Sequence, residues 1–131
     1  MASGTAPTDL IRVVIADDQA EVRRALKTIL ERDGRFEVVS EASEGAQAIE
    51  AVKAAQPHAL ILDLAMPNVD GLRAIPVIRS ASPDTKIVVL SSMVDFQDAG
   101  TLAETQGADA VFDKHVAPDE LKTAIVELVT G

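Results

Sequence analysis

The chain contains no cysteine, tryptophan or tyrosine, and its only aromatic residues are Phe36, Phe96 and Phe112. Without cysteine there are no disulfides, no thiolate metal sites and no thiol nucleophile. With aromatics at 2%, any core must be filled by Val, Ile, Leu and Ala. Basic residues are also scarce: 12 Lys and Arg face 21 Asp and Glu, a formal net charge of −9. Nucleic-acid phosphates and anionic membrane surfaces both demand basic side chains, so neither is an expected direct partner. No apolar run approaches the ~20 residues needed to span a bilayer. The stretch Met1 to Asp9 lacks the basic and apolar regions of a signal peptide. A soluble cytoplasmic domain is the expectation.

What is present is 131 residues, 47% of them apolar, enough for one domain with a real core. Small polar residues at 1–8 read as a disordered leader, leaving 9–131 as the domain. Five short β-branched runs follow: 11–16, 36–40, 59–62, 86–90 and 110–112. The first, third and fourth are almost wholly apolar, as strands buried on both faces of a parallel sheet must be. The second is mixed and suits an edge. Between the runs, apolar residues recur at helical spacing: Val22, Ala25, Leu26, Ile29 and Leu30, then Ala46, Ile49, Ala51 and Val52, with Pro57 as a stop. A last helix opens at Pro118 with Leu121, Ile125, Leu128 and Val129 inward. Two helices look weaker. The one at 71–80 contains Pro76 and should start late or kink. The one at 95–106 carries Gly100, Thr101 and Thr105, poor helix formers, and should be the least stable. Five βα units in alternation give an α/β fold, a parallel sheet with helices on both faces.

In an open α/β sheet the ligand site lies beyond the carboxyl ends of the strands. The runs deliver polar groups there: Asp17 and Asp18 after the first, Asp63 after the third, Ser91 and Ser92 after the fourth, and Lys114, through Asp113, after the fifth. The second run ends in Ser40 and Glu41, which need not reach the same pocket. Converging carboxylates repel, so their pKa values rise or a cation neutralises them. A hard divalent ion such as Mg²⁺ takes one or two carboxylates and keeps waters that a phosphate can replace. Lysine and serine complete a set suited to phosphoryl transfer onto an aspartate. A zinc hydrolase lacks its histidines here, since only His58 and His115 exist. Neither a P-loop nor a dinucleotide fingerprint occurs.

Each residue alone has a plainer reading. Asp17 and Asp18 precede a helix, where an N-cap is commonest. Asp63 could cap a turn before Pro67, and Asp70-Gly71 is a turn opening a helix. Lys114 alone is a surface lysine, Ser91 a strand-end hydroxyl, His58 an exposed residue at the opposite edge, and His115 loop surface. Met66 packs under its loop. Their coincidence on one edge is what favours function.

Asp17-Asp18, the segment from Asp63 through Met66-Pro67 to Asp70-Gly71, Ser91 and Lys114 together resemble the receiver domain of bacterial two-component response regulators, over about 11–129. The resemblance implies a flavodoxin-like five-stranded sheet of order 2-1-3-4-5 with five flanking helices. It implies that Asp63 accepts a phosphoryl group from a sensor histidine kinase or phosphotransfer protein. It further implies that Mg²⁺ (or Mn²⁺) is bound by Asp18, Asp63 and the Ala65 carbonyl, with Asp17 acting mainly through a water. Lys114 would pair with the phosphoryl oxygens, and Ser91 would hydrogen-bond them and report their presence. The chain would be a switch that catalyses only its own phosphorylation and dephosphorylation. It would act on a downstream effector or on an output domain of its own.

The local flavour resembles receivers that precede a helix-turn-helix DNA-binding domain, which these residues do not contain. A stand-alone receiver and a fragment of a transcriptional regulator therefore both stand. An aspartate-nucleophile phosphatase and a non-phosphorylated interaction module rank below them. Three departures mark the chain. Val111 stands where the family often has an aromatic, Ser92 where it usually has Ala or Gly, and His115 where Pro commonly follows the lysine. The first questions the usual ring-rotation relay to the surface.

Overall fold

The nearly all-apolar runs do become central strands. The computed structural model describes residues 10–64, 71–91 and 107–131, with backbone alone at 71, 72 and 91. Strands β1 (Ile11–Ala16), β2 (Phe36–Ala42), β3 (Ala59–Asp63), β4 (Lys86–Ser91) and β5 (Ala110–Asp113) form one sheet of order β2-β1-β3-β4-β5. All four pairings are parallel. The mixed second run is indeed an edge strand, and it extends two residues further than its β-branched part. The β1–β2 register shifts between Val13 and Val14.

Four helices are described: α1 (Ala20–Asp33), α2 (Gly45–Ala55), α3 (Gly71–Ala81) and α4 (Pro118–Thr130). The expected helix at 95–106, the leader at 1–8, Ala65, Met66, Asp70 and Ser92 lie outside the described residues. Strand alternation splits the core in two. Val14, Ala16, Leu60, Leu62, Ile87 and Val89 pack with α2 and α3. Ile11, Val13, Ile15, Ala59, Ile61, Val88 and Leu90 pack with α1 and α4. Aliphatic side chains dominate both layers, as the shortage of aromatics requires; Phe36 is the buried exception.

Three local expectations are corrected. Helix α3 starts at Gly71 and runs through Pro76. Its Ala74, Ile75 and Ile78 are fully buried, and that burial outweighs the roughly 3 kcal/mol cost of an interior proline. In α2 the buried residues are Gly45, Ala48 and Val52, whereas Ala46 faces solvent. The helix ends at Ala55 as expected, capped by Gln56 in the left-handed region at φ 45° with Pro57 next. In α1 only Leu30 is fully buried. Val22, Leu26 and Ile29 are half-buried and Ala25 is exposed; they line a groove of about 310 Å³ that continues over Leu90, Val116 and Leu121 to Lys114.

The amino-terminal edge of the sheet is closed by polar contacts. Thr85 Oγ1 donates to the Pro57 carbonyl at 2.7 Å, and Ser82 Oγ lies 2.6 Å from Thr85 Oγ1 and 3.0 Å from Gln56 Oε1. Ser82 and Thr85 are both buried. Arg79 donates to the carbonyls of Pro83, Thr85 and Gly107 and to Asp109. Arg12 closes the end of α2 through the Ala55 and Gln56 carbonyls. His58 is exposed at this edge, as expected, and its Nδ1 accepts the Arg12 backbone N–H. Among the described residues, no helix is long and apolar enough to cross a membrane.

Candidate functional site

The register of β1 against β3 assembles the opposite edge. Ala16 pairs with Leu62, so one step further Asp17 and Asp63 arrive side by side. Both continue the strand face that carries Ile15 and Ile61. Lys114 arrives from the end of β5, whose Asp113 pairs with Ser91 of β4. Strand geometry alone therefore brings two acids and a lysine to one point, and the β1–α1 loop adds Asp18.

The carboxylates of Asp17, Asp18 and Asp63 each offer an oxygen within 4.8 Å of the others. Asp17 and Asp63 are 1% and 2% exposed, while Asp18 is open to solvent. Lys114 Nζ lies 3.2 Å from Asp63 Oδ2 and 3.7 Å from Asp17 Oδ2, forming ion pairs with both. Asp17 Oδ1 accepts the Gln19 backbone N–H at 2.9 Å. Asp17 Oδ2 is buried and accepts no hydrogen bond among the described residues.

These surroundings set the charges. Burial pushes the Asp17 carboxyl above its ordinary range, and the Asp63 and Asp18 charges push the same way against the Gln19 N–H and Lys114. Burial alone would lower Lys114, but the Asp63 contact and the Asp17 and Asp18 charges hold it above the usual lysine value. One cation thus faces three acids. The donor set is all oxygen, one of its oxygens is buried without a hydrogen-bond donor, and one face is open. A hard divalent cation fits such a cluster, with waters completing its shell.

The expected site residues fare differently. Asp17, Asp18, Asp63 and Lys114 come together. Ser91 ends β4 beside them, its side chain outside the described atoms, and Ala65 lies outside altogether. The N-cap reading of Asp17-Asp18 is overturned: Gln19 occupies the cap position, without a side-chain cap. Asp17 turns inward instead and spends only Oδ1 on the loop. His115 is exposed and turns to Asp113, its Nδ1 3.0 Å from Asp113 Oδ1. The end of β2, which the sequence leaves open, touches the rim and not the acid cluster itself. Glu41 pairs with Arg23 of α1, which also holds the Asp17 carbonyl. No spacing in the sequence announces a pair separated by the rest of α1 and most of β2.

Comparison with known proteins agrees with this geometry. The sequence profile of the response regulator receiver domain matches residues 13–126. The uncharacterized transcriptional regulatory protein YhcZ of Bacillus subtilis is 37% identical over 111 residues, covering 85% of this chain and 51% of its own length. The chemotaxis protein CheY of Bacillus subtilis is 40% identical over 82 residues, 63% of this chain and 68% of CheY. The signal receiver domain of NarL from Mycobacterium tuberculosis superimposes with a TM-score of 0.87 at 31% identity, covering 94% of this chain and 98% of that one. The chain spans between half and three fifths of the transcriptional regulators it matches.

Proposed function

We propose, on the premise that this chain belongs to the response regulator receiver domain family, that Asp63 is its phosphoacceptor and that phosphorylation switches its partner-binding surface. A receiver domain of two-component response regulators is a signalling switch, and the chemistry assigned to this one is as follows. A carboxylate oxygen of Asp63 attacks the phosphorus of a phosphohistidine on a sensor kinase or phosphotransfer protein. The O–P bond forms, the P–N bond breaks, and the imidazole leaves with the electron pair and takes up a proton. Lys114, already 3.2 Å from Asp63, would move from the carboxylate to the phosphoryl oxygens. Asp18 and Asp63, with the Ala65 carbonyl, would hold Mg²⁺ directly, and Asp17 would hold one of its waters. When bound, the ion neutralises the acids and draws charge from the transferring group. Hydrolysis of the acyl phosphate returns the domain to its resting state, so the only turnover is its own.

The observation that carries this reading is the three-acid cluster with, among the described residues, a single lysine and a buried Asp17 oxygen that has no hydrogen-bond donor. Phosphorylation adds charge and three acceptor oxygens. New bonds to Ser91 and Lys114 would then bias β4, β5, α4 and the segment 95–106, changing what that face binds. Action in the cytoplasm is part of this reading; among the described residues no helix is long and apolar enough to cross a membrane. The decisive test is intact mass after incubation with Mg²⁺ and a small phosphodonor. Wild type should gain one phosphoryl group, and Asp63→Asn and Asp18→Ala none. Full phosphorylation of either variant would overturn the assignment.

A second reading concerns the output. The transcriptional regulators it matches are longer than this chain, and a solved neighbour is a LuxR-family DNA-binding response regulator from Staphylococcus aureus. On that reading the effector is a DNA-binding domain in the same polypeptide. The length of the full gene product decides between this and a separate effector protein.

A further inference from the structure

Arg23 lies one turn into α1, outside the acids and the lysine of the site. Its guanidinium faces two ways. Nη1 donates to the Asp17 carbonyl at 2.7 Å, and Nε donates to Glu41 Oε1 at 3.0 Å on the edge strand β2. The arginine side chain is 19% exposed, so most of it is enclosed. Asp17 is thereby fixed at three atoms: its N–H donates to the Ala42 carbonyl, its Oδ1 accepts from Gln19, and its carbonyl accepts from Arg23.

The Asp17 carbonyl shares one rigid plane with the Asp18 N–H. Asp18 itself is exposed, and among the described residues its carboxylate makes no hydrogen bond. Nothing at its tip aims it, so its backbone must, and the preceding peptide is held by Arg23. We propose that Arg23, braced by Glu41, is a positioning residue that orients the Asp17–Asp18 peptide so that the Asp18 carboxylate faces the divalent-cation site. The inference rests on the proposed Mg²⁺-dependent function and adds residues that the acid cluster does not include.

The sign of the effect separates this role from plainer ones. A guanidinium near a cation site repels the incoming ion, so if charge were its whole effect, removing it would tighten binding. A merely structural rim ion pair would leave affinity unmoved. Positioning predicts weaker binding in spite of the electrostatic gain. Partners that orient a metal ligand from behind typically carry 10–100-fold in affinity.

The test is an NMR titration of ¹⁵N-labelled protein with Mg²⁺ alone, following the Asp18 amide, with an apo melting curve for each variant. Arg23→Ala should raise Kd about tenfold and shift the Asp18 amide before metal is added. Arg23→Lys keeps the charge but cannot span both acceptors, so it should fall between Arg23→Ala and wild type. Glu41→Gln keeps an accepting oxygen and should bind nearly as wild type. Unchanged or tighter binding in a folded Arg23→Ala overturns the inference. If that variant does not fold, wild-type affinity in Arg23→Lys does so instead. Wild type that ignores Mg²⁺, or binds it without Asp18, would instead overturn the proposed function and this inference with it.

Discussion

The two edges of the sheet are built from similar polar residues and do opposite things with them. At the amino-terminal edge Gln56, Ser82, Thr85, Arg79 and Asp109 are joined in a continuous set of contacts. At the carboxyl-terminal edge, among the described residues, Asp17, Asp18 and Asp63 share one lysine, and a buried Asp17 oxygen has no hydrogen-bond donor. Satisfied polar groups hold elements in place, and unsatisfied ones store an appetite for a ligand. The same strands carry both, so a firmly tied base supports a rim of crowded acids.

The contrast is open to direct attack. The largest effect should come from the tied edge. Arg79→Ala removes donors from three carbonyls and Asp109, and hydrogen bonds from charged groups contribute about 1.5–3 kcal/mol. A loss of about 3 kcal/mol is expected in urea unfolding; a loss below about 1 kcal/mol would show that this edge is decoration. Next, Mg²⁺ should stabilise the wild type by about 2.7 kcal/mol at one hundred times its Kd. Asp18→Ala should melt at the same temperature with or without the ion. Third, Thr85→Val keeps the shape but strips the Pro57 carbonyl of its donor, costing about 2 kcal/mol.

The smallest effect is the most telling, because its sign is reversed. Asp17→Asn keeps the Oδ1 acceptor for Gln19 and removes a buried charge. Without metal it should melt a few degrees above wild type. The sign follows from linkage. Folded Asp17 binds its proton more tightly than the unfolded chain does, so wild-type stability falls as pH rises from the ordinary carboxylate range through the raised value. The advantage of Asp17→Asn should therefore be full at neutral pH and vanish near pH 4. Asp33 behaves in the opposite way. Arg35, then Lys122, hold its carboxyl well below the usual range, so its contribution is present above that range and lost as pH falls. An advantage that grows on acidification would refute the crowded-acid picture.

Much of this was legible in the residues. Central parallel strands are buried on both faces, so β1, β3 and β4 read as nearly all-apolar runs. Acids ending several such runs at one edge are a coincidence that caps and turns do not account for together, which exposes Asp17 and Asp63. Strand order came only through family resemblance, because periodicity says which residues are strands and not which are neighbours. Arg23, Glu41, Arg79 and Asp109 stayed invisible for a related reason. Arg23 meets Glu41 from the start of one element to the end of the next, and Arg79 meets Asp109 across β4, and no local spacing encodes such pairs. Helix α1 misled for another: its apolar stripe has the right period, yet only Leu30 is sealed and the rest lines an open groove.

One irregularity in β2 has a consequence for the rim. Phe36 and Val38 pack on the α1 side of the sheet, whereas Val39 and Ala42 pack on the α2 side. Strict alternation from Phe36 would send residue 42 to the α1 side and residue 41 to the α2 side. The register shift, where Val13 meets Val38 but Val14 meets Ser40, inverts that parity. The strand works like a reading frame with one extra letter: everything after it is read from the other side. That is why Glu41 meets an arginine of α1. A regular strand that kept Val39 would turn the carboxylate of residue 41 toward α2, leaving Arg23 its grip on the Asp17 carbonyl but nothing to brace against. Deleting Val39 removes the extra letter itself, so Val38, Ser40 and Glu41 alternate in step with Val13, Val14 and Ile15 and Glu41 still faces α1.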